Sequence, residues 1–431
     1  MRVLWFTNTP SNAAAELGGA SGKGGGWISS LETLVTERTS IELGVAFFYP
    51  LQEDKKIVRE SVTYFAVALE PQNALTRIKD RFLLNLQADS KIFRLLQIVD
   101  EFKPDLIHVF GSEEVFGMIA KYVNTPVVLH IQGVLEACIQ NWFPRGVSNW
   151  DVLRRSPLSE TIRGTGTYFD YRFMSKMARR EREIFSHCKY YMGRTYWDQS
   201  VSRLLAPGSD YFHCDEMIRP VFLENRWSPP PSDSPVVIST TINPNIYKGL
   251  DIVLKTARLL KEQARLSFVW NVFGIHKNHA LVRLYEKLLK DSFRHYPVIF
   301  HGPVDANQLV ENLCGSHLFV HSSHIDNSPN SVCEAMLLGM PVVAANTGGV
   351  SSLLEDGVEG ILYPDNDQYL LARHIMDLAA SPERAAELGK KARERARARH
   401  DQDAILNQLQ SIYNQILAKA NTRISSLEKQ S

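Results

Sequence analysis

What the sequence has little of narrows its class first. Its 431 residues include five cysteines, Cys138, Cys188, Cys214, Cys314 and Cys333, scattered singly. There is no CxxC pair and no Cys/His spacing suited to a tetrahedral metal site, so a disulfide scaffold and a zinc module are excluded. The thiols read as reduced, which points to a cytoplasmic setting. No apolar run approaches the roughly 18 residues needed to cross a bilayer. The longest weakly polar stretch is 336–345, and the apolar start of the chain reaches Asn8 and Pro10 too soon for a signal-peptide core. No integral membrane segment is expected. Nor is there an excess of one charge: 48 Lys and Arg against 47 Asp and Glu leave a net charge of +1. Nothing global therefore argues for a nucleic-acid partner.

What is present suits a large globular protein. Hydrophobic residues make up 44% and charged residues 22%, enough to bury a sizeable core, and the length is that of two or three domains. Residues 3–7 are an apolar run fit for a strand buried on both faces of a parallel sheet. A loop with Gly18, Gly19, Gly22, Gly24, Gly25 and Gly26 follows and leads into Trp27, Ile28, Leu31, Leu34 and Val35, one face of a helix. Further strands are predicted at 41–48, 106–110, 127–131 and 190–193, separated by helical patterns at 74–102 and 168–185. The stretch NRWSPPPSDSP, 225–235, forbids helix and reads as a linker. Beyond it strands are predicted at 236–240, 267–273, 298–301, 318–321, 342–345 and 360–363, again with helices between. The expectation is a doubly wound α/β unit at 1–224, a second at 236–400, and terminal helices at 401–431 that can cross back to the first. Ligands of such sheets bind at the carboxyl ends of the strands, and a cleft between the two units is the expected active site.

The most informative segment is SSHIDNSPNSVCEAMLLGMPVVAANTGGV, 322–350. It leaves an apolar strand, passes a polar turn and enters a helix near Ser331. The first N–H groups of that helix have no intrahelical partner and sit at the positive end of its dipole, a natural diphosphate cradle. Asp326 before the helix and Glu334 inside it place one carboxylate for a sugar and one for a ribose. The other reading makes Ser331 an N-cap and Glu334 its capping-box partner.

These residues resemble the donor-binding signature, an acid, seven residues and a Glu, of the large family of retaining, nucleotide-sugar-dependent glycosyltransferases with the GT-B fold. The likeness extends to the glycine loop before Trp27, to Lys248 and Gly249 after the first strand of the second domain, to HGPV at 301–304, and to the terminal helices. The resemblance implies an α/β protein of two Rossmann-like, doubly wound parallel-sheet domains facing a cleft, with C-terminal helices. The first domain would bind the acceptor and the second the nucleotide sugar, with no metal and no cofactor beyond that donor substrate. By position, Glu334 matches the ribose-binding glutamate. Lys248 matches the lysine that neutralises the departing diphosphate, stabilisation aimed at charge that grows in the transition state. Asp326 stands where the transferred sugar is contacted, and Asn327, Ser328, Asn330, Ser331 and Val332 supply donors to phosphate. Pro303 and Val304 would lie by the base, and Gly25 and Gly26 would let the first-domain loop close on the diphosphate.

The chain departs from that pattern at three places. Asp326 is one methylene shorter than the usual glutamate. Asn243 stands five residues before Lys248 where the family places an arginine, so Lys248 acts alone or with an arginine such as Arg194. Gln132 occupies the place of a first-domain histidine, with His130 two residues earlier on the same strand face. Gln132 can bond a sugar hydroxyl but cannot titrate; His130 is either a sugar contact or a satisfied core histidine. Glu113 and Glu114 are candidates for acceptor contact, with Ser112 a candidate cap. Arg194, Asp198, His213, Glu216 and Arg219 form either site contacts or a structural ion-pair network. Two basic stretches, 145–194 with eleven Lys or Arg against five acids and 390–399, suit solvated helix faces or an anionic membrane surface. The expected function is transfer of one sugar, with retention, from a nucleoside-diphosphate sugar to a hydroxyl of a glycan or lipid-linked glycan in surface polysaccharide assembly, in the cytoplasm with peripheral association at the inner membrane face. The alternatives are a nucleotide-sugar epimerase or hydrolase on the same fold, or a non-catalytic nucleotide-sugar-binding partner.

Overall fold

Parallel strands dominate the computed structural model, which describes residues 1–18, 26–59, 61–69, 73–86, 88–231 and 234–428. Gly25 lies outside the described residues. The first sheet contains β1 (Arg2–Phe6), β2 (Glu42–Tyr49), β3 (Lys55–Arg59), β4 (Val62–Ala68), β5 (Leu106–Phe110), β6 (Val127–His130), β7 (Tyr190–Gly193) and β8 (Asp210–His213). Its order is β3-β4-β2-β1-β5-β6-β7-β8, parallel except for the β3–β4 pair. The second contains β9 (Val236–Thr241), β10 (Phe268–Phe273), β11 (Val298–Gly302), β12 (Leu318–His321), β13 (Val342–Ala345) and β14 (Ile361–Tyr363) in the order β11-β10-β9-β12-β13-β14, all parallel. In each sheet the chain builds outward on one side and then on the other. The reversal falls beside β1 in the first and beside β9 in the second, and such reversals are where open α/β sheets bind ligands.

The helices, in chain order, are α1 (Trp27–Arg38), α2 (Ala74–Leu83), α3 (Ala88–Phe102), α4 (Leu135–Gln140), α5 (Asn149–Arg155), α6 (Leu158–Arg163), α7 (Thr167–His187), α8 (Tyr196–Leu205), α9 (Pro220–Glu224), α10 (Leu250–Glu262), α11 (Ala280–Leu289), α12 (Ala306–Cys314), α13 (Asn330–Leu338), α14 (Gln368–Ala379), α15 (Pro382–Arg399) and α16 (Gln402–Glu428). The doubly wound architecture expected from the sequence is present. Two local differences have physical causes. The 74–102 pattern divides into α2 and α3, because Leu84 turns left-handed (φ 52°) and closes the first. The β3–β4 hairpin escapes an apolar pattern because β3, KKIVR, is a charged edge strand with no buried residue.

The chain forms two compact units, each discontinuous in sequence. Unit one comprises Met1–Glu136, Met174–Met217 and His400–Ser431, and unit two comprises Ala137–Phe173 and Ile218–Arg399. Residues 137–173, placed with the first domain by a single division at 225–235, belong with the second. The Trp142 ring meets that of Tyr247 at 5.4 Å, and the Lys287 ammonium donates to the Arg155 carbonyl at 3.2 Å. In unit one, Leu409, Ile412, Tyr413 and Ile416 of α16 join the core of Trp5, Val45 and Phe110. Each aliphatic side chain buried there contributes roughly 1.5–3 kcal/mol, enough to dock the terminal helix on the sheet. In unit two, α13 is apolar nearly all round and buries Val332, Ala335, Met336 and Leu338 against Phe319, Val342 and Ala344.

Many cations of the two basic stretches are engaged inside the fold. Arg155 pairs with Asp151, Lys176 donates to the Leu84 carbonyl, Arg180 to the Glu113 carbonyl and Arg194 to the Gln132 carbonyl, and Arg182 pairs with Glu136. In α15, Arg393 donates to the carbonyls of Leu223, Asn225 and Leu337, and Arg395 pairs with Glu359.

Candidate active site

The second unit's reversal point is built by the loops after β9 and β12. The turn ending at Lys248 packs against the 322–329 loop: Ser322 Oγ donates to the Lys248 carbonyl at 3.1 Å and the His324 N–H to the Tyr247 carbonyl at 2.8 Å. Gly249 makes this contact feasible. Its φ is +76°, and a Cβ there would lie 1.7 Å from the Ser322 carbonyl oxygen, so the Lys-Gly pair is a steric requirement of two touching loops.

Lys248 and Asp326 meet at this seam, Nζ to Oδ2 at 2.6 Å. His321, at the end of β12, reaches the same oxygen at 3.2 Å, and the Asn327 N–H donates to Oδ1 at 3.2 Å. Burial opposes ionisation of Asp326, but Lys248 and His321 outweigh it and hold the carboxyl far below its usual range. The ammonium also lies 5.6 Å from the Tyr247 ring, which packs against Trp142. Lys248 is therefore a charged group held by an anion on one side and an aromatic face on the other.

Glu334 lies one turn into α13, with its carboxylate bound by Arg219 through Nη2 at 2.6 Å and Nε at 3.2 Å, both to Oε1. Burial raises its pKa and the guanidinium opposes that rise. The residue before the helix is Pro329, with no side-chain cap bond, so the reading of Ser331 as N-cap and Glu334 as capping-box partner does not hold: Glu334 is the fifth helical residue, too far along to fold back. Asn330 and Ser331 open the helix and are half-buried. Asn327 and Ser328 are buried, and the Val332 side chain is wholly within the core, so Val332 offers a ligand only backbone. Pro303 is exposed and Val304 packs on the second core at the end of edge strand β11, two strands from β9. Asn243 stays within its own turn, where its Oδ1 accepts from Asn245 at 3.2 Å.

In the first unit, Gly26 precedes α1 at φ +47°. His130 is buried, with Nδ1 3.2 Å from His108 Nε2 and its ring edge-on to Trp27; His108 in turn meets the Tyr413 hydroxyl at 2.6 Å. Burial, then His108 and Arg194, push the His130 pKa well down, and burial takes His108 down to about 3. This is a neutral core network tying α16 to the sheet. The buried Gln132 Nε2 has no hydrogen-bond partner among the described residues, leaving a donor for a ligand. Arg194 is 3% exposed; its guanidinium donates to the Gln132 carbonyl at 3.1 Å and lies 4.0 Å from Glu216. It is thus fixed inside this unit. Glu113 follows β5 beside the first reversal point, where Asn8 Nδ2 donates to it at 2.7 Å. Burial, helped by Glu181 and Glu114, pushes its pKa up to about 7. Ser112 donates to Glu181 instead of capping a helix.

Sequence reasoning singled out Lys248, Asp326 and Glu334, and the structure brings the first two into contact. It missed His321 and Trp142, and it left Arg219 without its partner. The repeated histidines of HSSH, flanking a strand end, were the available signal for His321.

Residues 224–395 match the family model of group 1 glycosyl transferases. Lys248, Asp326 and Glu334 fall within that span, and Arg219 precedes it. The chain is also 26% identical over 307 residues to the sulfoquinovosyl transferase SQD2 of Arabidopsis thaliana, covering 70% of this chain and 55% of the relative. It therefore spans just over half the length of that protein. Among solved structures, sucrose-phosphate synthase of Thermosynechococcus elongatus superposes with a TM-score of 0.72 at 15% identity, covering 97% of this chain and 100% of that one. Anabaena Alr3699/HepE in complex with UDP-glucose gives 0.64 at 16% identity, with 96% and 100% covered. The fold is GT-B, with two parallel-sheet α/β domains and a helical C-terminus. Among the described residues no helix is long and apolar enough to cross a membrane.

Proposed function

We propose that this chain is a retaining glycosyltransferase that moves one sugar from a nucleoside-diphosphate sugar to a hydroxyl of a glycan or lipid-linked glycan, in surface polysaccharide assembly. The observation that carries the reading is the charged constellation at the second reversal point: Lys248 against Asp326, with Glu334 held by Arg219. It lies almost wholly within the group 1 glycosyl transferase match, and a solved structure of the same fold is described as a complex with UDP-glucose.

In this reading Glu334 accepts from the two ribose hydroxyls. The N-terminus of α13 and Lys248 meet the diphosphate, the ammonium compensating charge that builds as the glycosidic oxygen leaves. Asp326 orients Lys248 and accepts from a hydroxyl of the transferred sugar. The acceptor oxygen bonds to the anomeric carbon on the face from which the diphosphate departs, and the acceptor proton passes to the departing diphosphate. The protein supplies orientation and charge compensation more than acid–base groups, so the reaction needs no metal. The setting we propose is cytoplasmic, in keeping with five free cysteines.

The test is incubation with a panel of UDP-, GDP- and dTDP-sugars, with and without lipid-linked glycan acceptors. Acceptor-dependent nucleotide release, a product of unchanged anomeric configuration by NMR, and full activity in EDTA are expected. Acceptor-independent conversion of the donor would instead make the protein an epimerase or hydrolase, and tight donor binding without turnover a binding partner.

A further inference from the structure

Residues 137–173 fold as part of the second unit, and they bring to it a polar group that the fold does not use. Trp142 follows α4 and is 3% exposed. Its ring lies 5.4 Å from that of Tyr247 and 6.2 Å from that of Tyr171, which in turn meets Phe143 at 5.1 Å. This packing accounts for the ring but not for the indole nitrogen. Trp142 Nε1 is buried and has no hydrogen-bond partner among the described residues. Three other buried tryptophans behave differently: Trp5 donates to the Tyr413 hydroxyl at 3.0 Å, Trp227 to the Ser316 carbonyl at 2.7 Å and Trp270 to the Thr240 hydroxyl at 2.9 Å. A buried Trp N–H ordinarily finds an acceptor, and one left unmade costs stability.

The surroundings narrow what that acceptor is. Trp142 packs on the ring of Tyr247, and the ammonium of the next residue, Lys248, lies 5.6 Å from that same ring. An indole N–H donates and never accepts, which suits an oxygen that only accepts, as in a phosphate, better than a hydroxyl. The cations described at this reversal are already committed, Lys248 to Asp326 and Arg219 through Nε and Nη2 to Glu334. The loop TINPNIYK, 241–248, contains no cation besides Lys248, and Asn243 stays within its own turn. A diphosphate held here must therefore draw on neutral donors as well, and Trp142 offers one.

We infer that Trp142 is a diphosphate-binding residue of this chain, its Nε1–H donating to a phosphate oxygen of the nucleotide beside Lys248. The inference rests on the donor site proposed above, and adds to it a contact from a segment outside the 224–395 match.

The experiment reads binding, not turnover. The full-length protein is titrated with UDP, GDP and dTDP, and the nucleoside of whichever binds most tightly serves as the phosphate-free probe. Trp142→Phe keeps an aromatic ring on Tyr247 and deletes the N–H. It should weaken the nucleoside diphosphate about 10-fold, the loss of one hydrogen bond to a charged group, and leave the nucleoside unchanged. Trp142→Ala, which also removes the ring, should weaken the diphosphate further. Trp150→Phe, at a residue 67% exposed on α5, should match wild type. In ¹⁵N-labelled protein, the indole resonance missing from Trp142→Phe should move downfield when the diphosphate is added and stay in place with the nucleoside. Thermal melts separate a lost contact from a lost fold. Equal weakening of diphosphate and nucleoside would make Trp142 a packing residue and overturn the inference. So would undiminished diphosphate affinity in Trp142→Phe, or an indole resonance that stays in place in a protein that binds the diphosphate; each of these leaves the proposed donor site standing. Failure of the wild type to bind any of the three nucleotides would end both.

Discussion

The two sheets reverse their strand order in the same way and put different chemistry at the reversal. Beside β9, Lys248 and Asp326 meet as full opposite charges at 2.6 Å. Beside β1, an amide and a carboxyl meet, Asn8 and Glu113 at 2.7 Å. Both carboxyls lose water, yet one is driven far below its usual range and the other up to about 7. The difference is the partner. An ammonium and His321 hold Asp326 ionised, whereas the nearby Arg180 spends its donor on the Glu113 backbone carbonyl and leaves burial to decide. A shared fold supplies a place for a ligand, and side chains decide whether that place suits a phosphate or a hydroxyl.

The comparison is broken most severely by removing the ammonium. Lys248→Ala should lower kcat by about 10²–10³-fold, the usual loss when one preorganised charge-stabilising donor is removed, with circular dichroism unchanged. Full activity in that variant would end its assigned role. Next in size is Glu334→Gln, which should raise the donor KM about 10–100-fold through weakened hydrogen bonds to ribose. Arg219→Ala should differ in kind. It strands a buried carboxylate, so a melt should show a loss of about 3–5 kcal/mol, while Glu334→Gln costs far less stability.

These residues were legible to different depths. Strand–helix alternation and the apolar runs announced both sheets, because a strand buried on both faces must be apolar throughout. Lys248 and Glu334 could be read from motif spacing, since local chain geometry fixes them. The Lys248–Asp326 contact could not, because it joins loops 78 residues apart. Membership of 137–173 in the second unit depends on Trp142 meeting Tyr247 across a still longer separation, and no local pattern encodes such a pairing. The β3 strand was hidden by its charge, and the basic stretches were misleading for the opposite reason: charge counts do not show which cations the fold consumes.

A milder change sharpens the comparison at the first reversal. If Glu113 contacts the acceptor, the acceptor KM should shift as pH crosses 7, where this carboxyl passes from neutral to ionised. Glu113→Gln, neutral throughout, should remove that step; a step that persists in the variant would assign it to another group. Gly111→Ala should act similarly, because a Cβ at φ +88° would lie 2.2 Å from the Glu113 carboxylate and displace it.

The smallest effect on activity, and the clearest on stability, belongs to a network behind the second reversal. His324 bonds Asp251 through Nε2 at 2.9 Å and Asp365 through Nδ1 at 2.7 Å, with Asn366 alongside and Lys255 on the far side of Asp251. Burial disfavours the charged ring, but the two carboxylates prevail and raise His324 from 6.5 to about 9. A raised histidine pKa means that the imidazolium's stabilisation is fully present below 6.5 and is lost as pH rises through 9. Asp251, held down to about 2, has the opposite sign: its contribution is present above its ordinary value and is lost as pH falls toward 2. Melts across the alkaline range should therefore show the wild-type Tm falling as His324 deprotonates, with a flatter profile in His324→Gln. Parallel profiles for the two proteins would mean that the ring is not charged at neutral pH, and the ion-paired character of this reversal would then rest on Lys248 and Arg219 alone.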